Sequence, residues 1–97
     1  MPLDVIQEKN LSEIIDYALE YPSMVLSATK SSHIMPSSLT DFAYGLYVGY
    51  ISGMFFDKFL VENKRFLNED ELVDFYSKLT SRNSEITLKI KAHFKIK

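Results

Sequence analysis

The sequence predicts an α+β fold, in which three helices with the middle one at the centre pack against a small sheet that contains a long C-terminal strand. Two helix-capping patterns, one long uncharged segment and one strictly alternating segment support this prediction. A mainly α bundle is the alternative. With 46% apolar and 25% charged residues, the composition is that of a packed globule, and residues 1–97 are expected to form a single domain.

The first helix is expected over residues 11–21. Asn10 and Glu13 have the spacing of a capping box, apolar residues follow at helical spacing, and Pro22 ends the pattern. The apolar run at residues 24–26 fits either a strand or a helical turn, and a serine-rich connector leads on to Pro36.

The second helix is expected to start at Ser38 and to reach about Asn63, because a serine hydroxyl can accept the free amides of a first helical turn. The third helix begins after Asn68, which forms a capping-box pattern with Glu71. Residues 81–84, Ser-Arg-Asn-Ser, supply its stop. The residues expected on its buried face are Leu72, Val73, Phe75, Tyr76 and Leu79.

The last twelve residues alternate between apolar and polar side chains, which is the period of a strand. The apolar set comprises Ile86, Leu88, Ile90, Ala92, Phe94 and Ile96. Such a strand needs a hydrogen-bonding neighbour, and the other extended candidates, residues 3–6 and 24–29, are short. A second copy of the chain, paired around a twofold axis, could supply the missing partner.

All three glycines of the chain lie in an uncharged segment, residues 42–56, at four-residue spacing. On a helix, Gly45, Gly49 and Gly53 form one stripe that costs roughly 3 kcal/mol against alanine, so a close neighbour is expected to offset the loss. The neighbour could be another helix of the same chain, a second copy or a flat ligand. The predicted interface residues are Gly45, Gly49, Gly53, Tyr44, Tyr47, Tyr50, Ile90 and Phe94.

Basic residues concentrate at the C-terminus. Residues 1–81 hold six basic and twelve acidic side chains, a net charge of −6, whereas residues 82–97 hold five basic and one acidic, a net charge of +4. On a strand, one face would carry Lys89, Lys91, Lys95 and Lys97 around His93. This row could contact phosphates, although lysines also protect sheet edges from aggregation.

The sequence offers little for catalysis. The chain has no cysteine, and its two histidines, His33 and His93, belong to no recognisable motif. The acidic group at residues 69–74 is explained by the preference of helix N-termini for negative charge. We therefore expect no enzyme, no cofactor and no metal.

The N-terminus does not resemble a secretory signal, and the uncharged segment is too short to span a bilayer, so a cytoplasmic protein without membrane contact is expected. The sequence favours a non-enzymatic interaction module, either a homodimer or an adaptor for another protein. The alternative is a nucleic-acid or polyanion binder that uses the basic C-terminal strand.

Overall fold

A computed structural model describes residues 2–27 and 39–94 of the chain. These residues form five helices and no strand: α1 (Val5–Glu20), α2 (Pro22–Val25), α3 (Leu39–Asn63), α4 (Glu69–Ser81) and α5 (Asn83–Phe94). The predicted α+β fold is therefore wrong, and the protein is a small helical bundle in which α3 is central. Within the described ranges, no helix is both long and apolar enough to cross a membrane.

Helix α1 begins six residues earlier than the sequence pattern indicated. The Asp4 side chain accepts a hydrogen bond from the Gln7 amide at 2.8 Å, and the Gln7 side chain accepts one from the Asp4 amide at 3.0 Å. This capping box replaces the predicted one at Asn10, whose side chain instead donates to Glu62 at 3.3 Å. Residues 5 and 6 are consequently helical and cannot provide a strand, and residues 22–25 form the helical turn α2.

Helix α3 packs on the other helices through one row of side chains. Its buried residues are Ala43, Tyr47, Ile51, Phe55 and Phe59, each four positions after the last. Helix α1 packs on one side of this row and α5 on the other. The observed end at Asn63 agrees with the expectation, whereas the predicted start, Ser38, lies outside the described residues.

Helix α4 follows the sequence prediction at both ends. Asn68 accepts a hydrogen bond from the Glu71 amide at 2.8 Å, Glu71 accepts one from the Asn68 amide at 2.8 Å, and the helix ends at Ser81. The predicted buried face is correct only in part, because Val73 and Tyr76 are exposed. Phe75 is buried and stacks on Phe55 of α3, with ring centroids 5.2 Å apart.

Helix α5 occupies the segment predicted to be a strand. Ile86 and Ile90 are fully buried and Phe94 is half-buried, whereas Leu88 is 67% exposed. Positions four apart belong both to a strand period of two and to one face of a helix, so the alternation did not separate the two structures. A helix satisfies its backbone amides and carbonyls internally, whereas the other segments proposed as strand partners within the described chain are helical.

Candidate interaction face

The surface of α3 opposite its buried row is uncharged and partly apolar. Its positions are spaced alternately by four and three residues, which places them on one side of the helix. We call this set the outer face of α3, and it consists of Phe42, Leu46, Gly49, Gly53, Phe56 and Leu60. Gly45 lies at its edge.

The three glycines have no close neighbour in the described part of the chain. All three are exposed, and a methyl group built on any of them would find no atom of the described residues within 4 Å. Close packing of the glycine stripe against another described helix is therefore not what offsets its cost in helix propensity. Gly45, Gly49 and Gly53 instead leave a smooth, open strip on the outer face of α3.

Larger apolar side chains stand at both ends of that strip. Phe42 and Leu46 are half-buried at one end, and at the other end Phe56 is half-buried and Leu60 is 48% exposed. Beyond Leu60 the apolar surface continues to Phe66, which is 53% exposed and whose ring lies edge-on to Phe56 at 5.4 Å. The outer face of α3 is thus small at its centre and bulky at its ends.

Two of the predicted interface residues lie in the core. Tyr47 and Ile90 are fully buried, so neither side chain is available to a partner. Tyr44, Tyr50 and Phe94 are half-buried and pack against the core from its margin. Of the predicted set, the three glycines are the residues that are largely open to solvent.

The hydroxyl of Tyr47 is buried and has no hydrogen-bond partner among the described residues. Burial raises the pKa of Tyr47 above its usual value, because the phenolate would be poorly solvated. A buried hydroxyl without a partner costs about 1–3 kcal/mol. Tyr47 faces the core from the buried side of α3, so this hydroxyl contributes nothing to the outer face.

The predicted basic face does not form on a helix. Lys89 and Lys91 are exposed, but residues two positions apart point about 200° away from each other around a helix. Arg82 is held by Asp16 of α1 at 2.7 Å and by Glu85 at 2.7 Å. Lys95 and Lys97 lie outside the described residues. The continuous lysine row, on which the nucleic-acid alternative depended, is therefore absent from the described chain.

No arrangement suited to chemistry was found among the described residues. His93 lies on α5, half-buried against the ring of Phe94 at 4.9 Å, and His33 lies outside the described ranges. In the same ranges, no three side chains of histidine, cysteine, aspartate or glutamate cluster as metal ligands would.

Comparison with protein-family models, with curated proteins and with solved structures finds no match to this chain. The functional argument therefore rests on the chemistry of the outer face of α3 alone.

Four residues of this face were missing from the sequence prediction: Phe42, Leu46, Phe56 and Leu60. Their positions could have been found from the alternating spacing of four and three residues that they share with Gly49 and Gly53. The pattern was hidden because nearly every position from 42 to 56 is uncharged, so the apolar residues of both helix faces merge into one run.

Proposed function

We propose that this protein is a non-enzymatic interaction module that forms a homodimer through the outer face of α3. The observation that carries the proposal is the solvent exposure of three glycines in the middle of a 25-residue helix. Glycine is the least favourable ordinary residue in a helix after proline, at about 0.8–1.0 kcal/mol below alanine for each position. Small residues at these positions bring a benefit when the backbone of a second helix approaches.

The chemistry of the outer face supports an apolar partner. None of its six positions is charged, and no charged residue occurs between Asp41 and Asp57, so the centre of a contact would desolvate no ion. Exposed apolar surface with half-buried aromatic residues is typical of protein contacts. Leu60 and Phe66 are exposed to solvent in the single chain, and a second copy would remove them from water.

The test is a comparison of two leucine variants on different helices. Leu60→Lys places a charge on the outer face of α3, and Leu88→Lys places the same charge on the exposed side of α5. Because both leucines are exposed, neither change is expected to alter the free energy of unfolding by more than about 0.5 kcal/mol. We expect Leu60→Lys to raise the dissociation constant of the dimer by about tenfold or more, as sedimentation velocity measures, since that corresponds to about 1.4 kcal/mol.

Leu88→Lys serves as the matched control and is expected to leave the dissociation constant unchanged. If the two variants weaken association equally, the contact does not use α3. If the unmodified chain sediments as a monomer at every concentration, the proposed function is wrong.

A further inference from the structure

The side chains on the outer face of α3 are arranged symmetrically about its middle. From the N-terminal end they run Phe42, Leu46, Gly49, Gly53, Phe56 and Leu60, so two bulky residues stand at each end and the two glycines stand between them. The midpoint lies level with Ile51, which faces the core on the opposite side of the helix. A face with such symmetry can match a reversed copy of itself.

We infer that the second copy packs with its α3 antiparallel to the first, with a twofold axis level with Ile51. This inference rests on the proposed function, since it names the geometry of the same contact. In this arrangement Gly49 of each copy faces Gly53 of the other, Leu46 faces Phe56, and Phe42 faces Leu60. A twofold contact between identical patches is the commonest geometry of protein dimers.

The volumes of the facing residues favour the antiparallel arrangement. Each layer outside the centre pairs one phenylalanine with one leucine, so the combined volume is the same in all four layers and the two helices diverge evenly from the glycines. A parallel pair would instead stack phenylalanine on phenylalanine and leucine on leucine, with the bulkiest layer next to the glycines at one end only. Packing at protein-like density requires facing layers of matched volume.

The helix dipoles favour the same arrangement. Aligned peptide units give each helix a positive N-terminus and a negative C-terminus, so two parallel helices place like charges together and two antiparallel helices place opposite charges together. Asp41 at the N-terminal end and Asp57 near the C-terminal end both lie outside the six positions of the face. Hence neither carboxylate enters the centre of the contact.

The size of the face sets the expected strength of the contact. From Phe42 to Leu60 the helix rises about 27 Å, and a helix face about 10 Å wide offers roughly 300 Å² of projected surface per copy. Stable interfaces bury about 800 Å² per partner, so the outer face of α3 is expected to support a dimer that forms in a concentration-dependent way. Phe66, which is 53% exposed beside Phe56, extends the contact at both ends of a twofold pair.

Cysteine cross-linking tests the antiparallel geometry, because the natural chain contains no cysteine. Two variants, Phe42→Cys and Leu60→Cys, are each incubated alone and as a mixture with a short thiol-reactive cross-linker. The antiparallel pair places position 42 next to position 60 of the other copy, whereas two positions 42 are about 27 Å apart along the helix. We expect the mixture to give a mixed dimer and each variant alone to give none. Intact mass spectrometry distinguishes the species, since the two variant chains differ in mass.

A second pair, Leu46→Cys with Phe56→Cys, is predicted to give the same result and guards against loss of folding in one variant. Leu88→Cys mixed with Leu60→Cys is the control and is expected to give no cross-link. If each outer-face variant cross-links readily to itself, the helices are parallel and the inference is overturned while the dimer stands. If the protein has the mass of a dimer but neither mixed pair cross-links, the contact lies elsewhere and the inference is overturned as well. A monomeric mass would instead refute the proposed function.

Discussion

Replacing the three glycines by alanine separates the stability of the single chain from the stability of the dimer. In the single chain, a methyl group at Gly45, Gly49 or Gly53 meets no described atom within 4 Å, so the helix-propensity gain of alanine is not opposed by a clash. Each change is worth about 0.8–1.0 kcal/mol, which gives the triple variant a gain of roughly 2.5–3 kcal/mol. For a domain of this size the gain corresponds to a rise in melting temperature of roughly 10–20 °C.

In the dimer the same methyl groups lie where the two helices approach most closely. Overpacking of a tight contact costs about 1–3 kcal/mol, so the triple variant is expected to dissociate roughly 5-fold to 150-fold more readily than the natural chain. Thermal unfolding of a dilute sample measures the first effect, and sedimentation of a concentrated sample measures the second. Ala92→Gly on the exposed side of α5 is the control: it is expected to lower stability by up to about 1 kcal/mol without changing the solution mass.

A triple variant that melts at or below the temperature of the natural chain in dilute solution would refute this reasoning. That result would mean that the glycine stripe is already covered within one chain.

Two further predictions concern single side chains of the bundle. Tyr47→Phe removes a buried hydroxyl without a partner, so it is expected to raise the free energy of unfolding by about 1 kcal/mol or more in urea denaturation, and a loss of stability would show that the hydroxyl is hydrogen-bonded. Hydrogen bonds from Arg65, at 2.8 and 3.0 Å, hold the pKa of Glu71 below its usual value of 4.5. This carboxylate therefore stabilises the protein above that pKa, and its contribution is lost as the pH falls through the lower, folded-state pKa. Glu71→Gln is expected to cost about 1 kcal/mol near neutral pH and to reduce the loss of stability in acid, whereas an unchanged acid profile would contradict the assignment.

Local signals in the sequence predicted the helices that depend on local chemistry. The capping box of Asn68 and Glu71 identified the start of α4, and the run of helical residues up to Asn63 identified the end of α3. These features follow from hydrogen bonds between residues three or four positions apart, which a sequence displays directly. The start of α1 was missed because Asp4 and Gln7 form an equally good capping box upstream of the one at Asn10.

The C-terminal helix was mispredicted because its structure depends on distant residues. The alternating pattern of α5 fits a strand better than a helix locally, and the exposure of Leu88 is the consequence of the helical solution. Burial of Ile86 and Ile90 against the rest of the bundle, together with the lack of a strand partner in the described chain, decides the outcome.

The candidate face was predicted only at its centre. The glycines were recognised from their spacing, but the sequence does not show which side of an uncharged helix faces the core, so Tyr47 was grouped with them although it is fully buried. The larger residues at the ends of the face became apparent once the buried row from Ala43 to Phe59 was known.

Sedimentation equilibrium of the unmodified chain, from about 1 µM to about 1 mM, tests the central claim most directly, because dissociation constants in this range correspond to contacts of about 4–8 kcal/mol. The outer face of α3 predicts a mass that rises with concentration from the 11.2 kDa of one chain towards twice that value. A mass that stays at 11.2 kDa up to the highest concentration would contradict the claim.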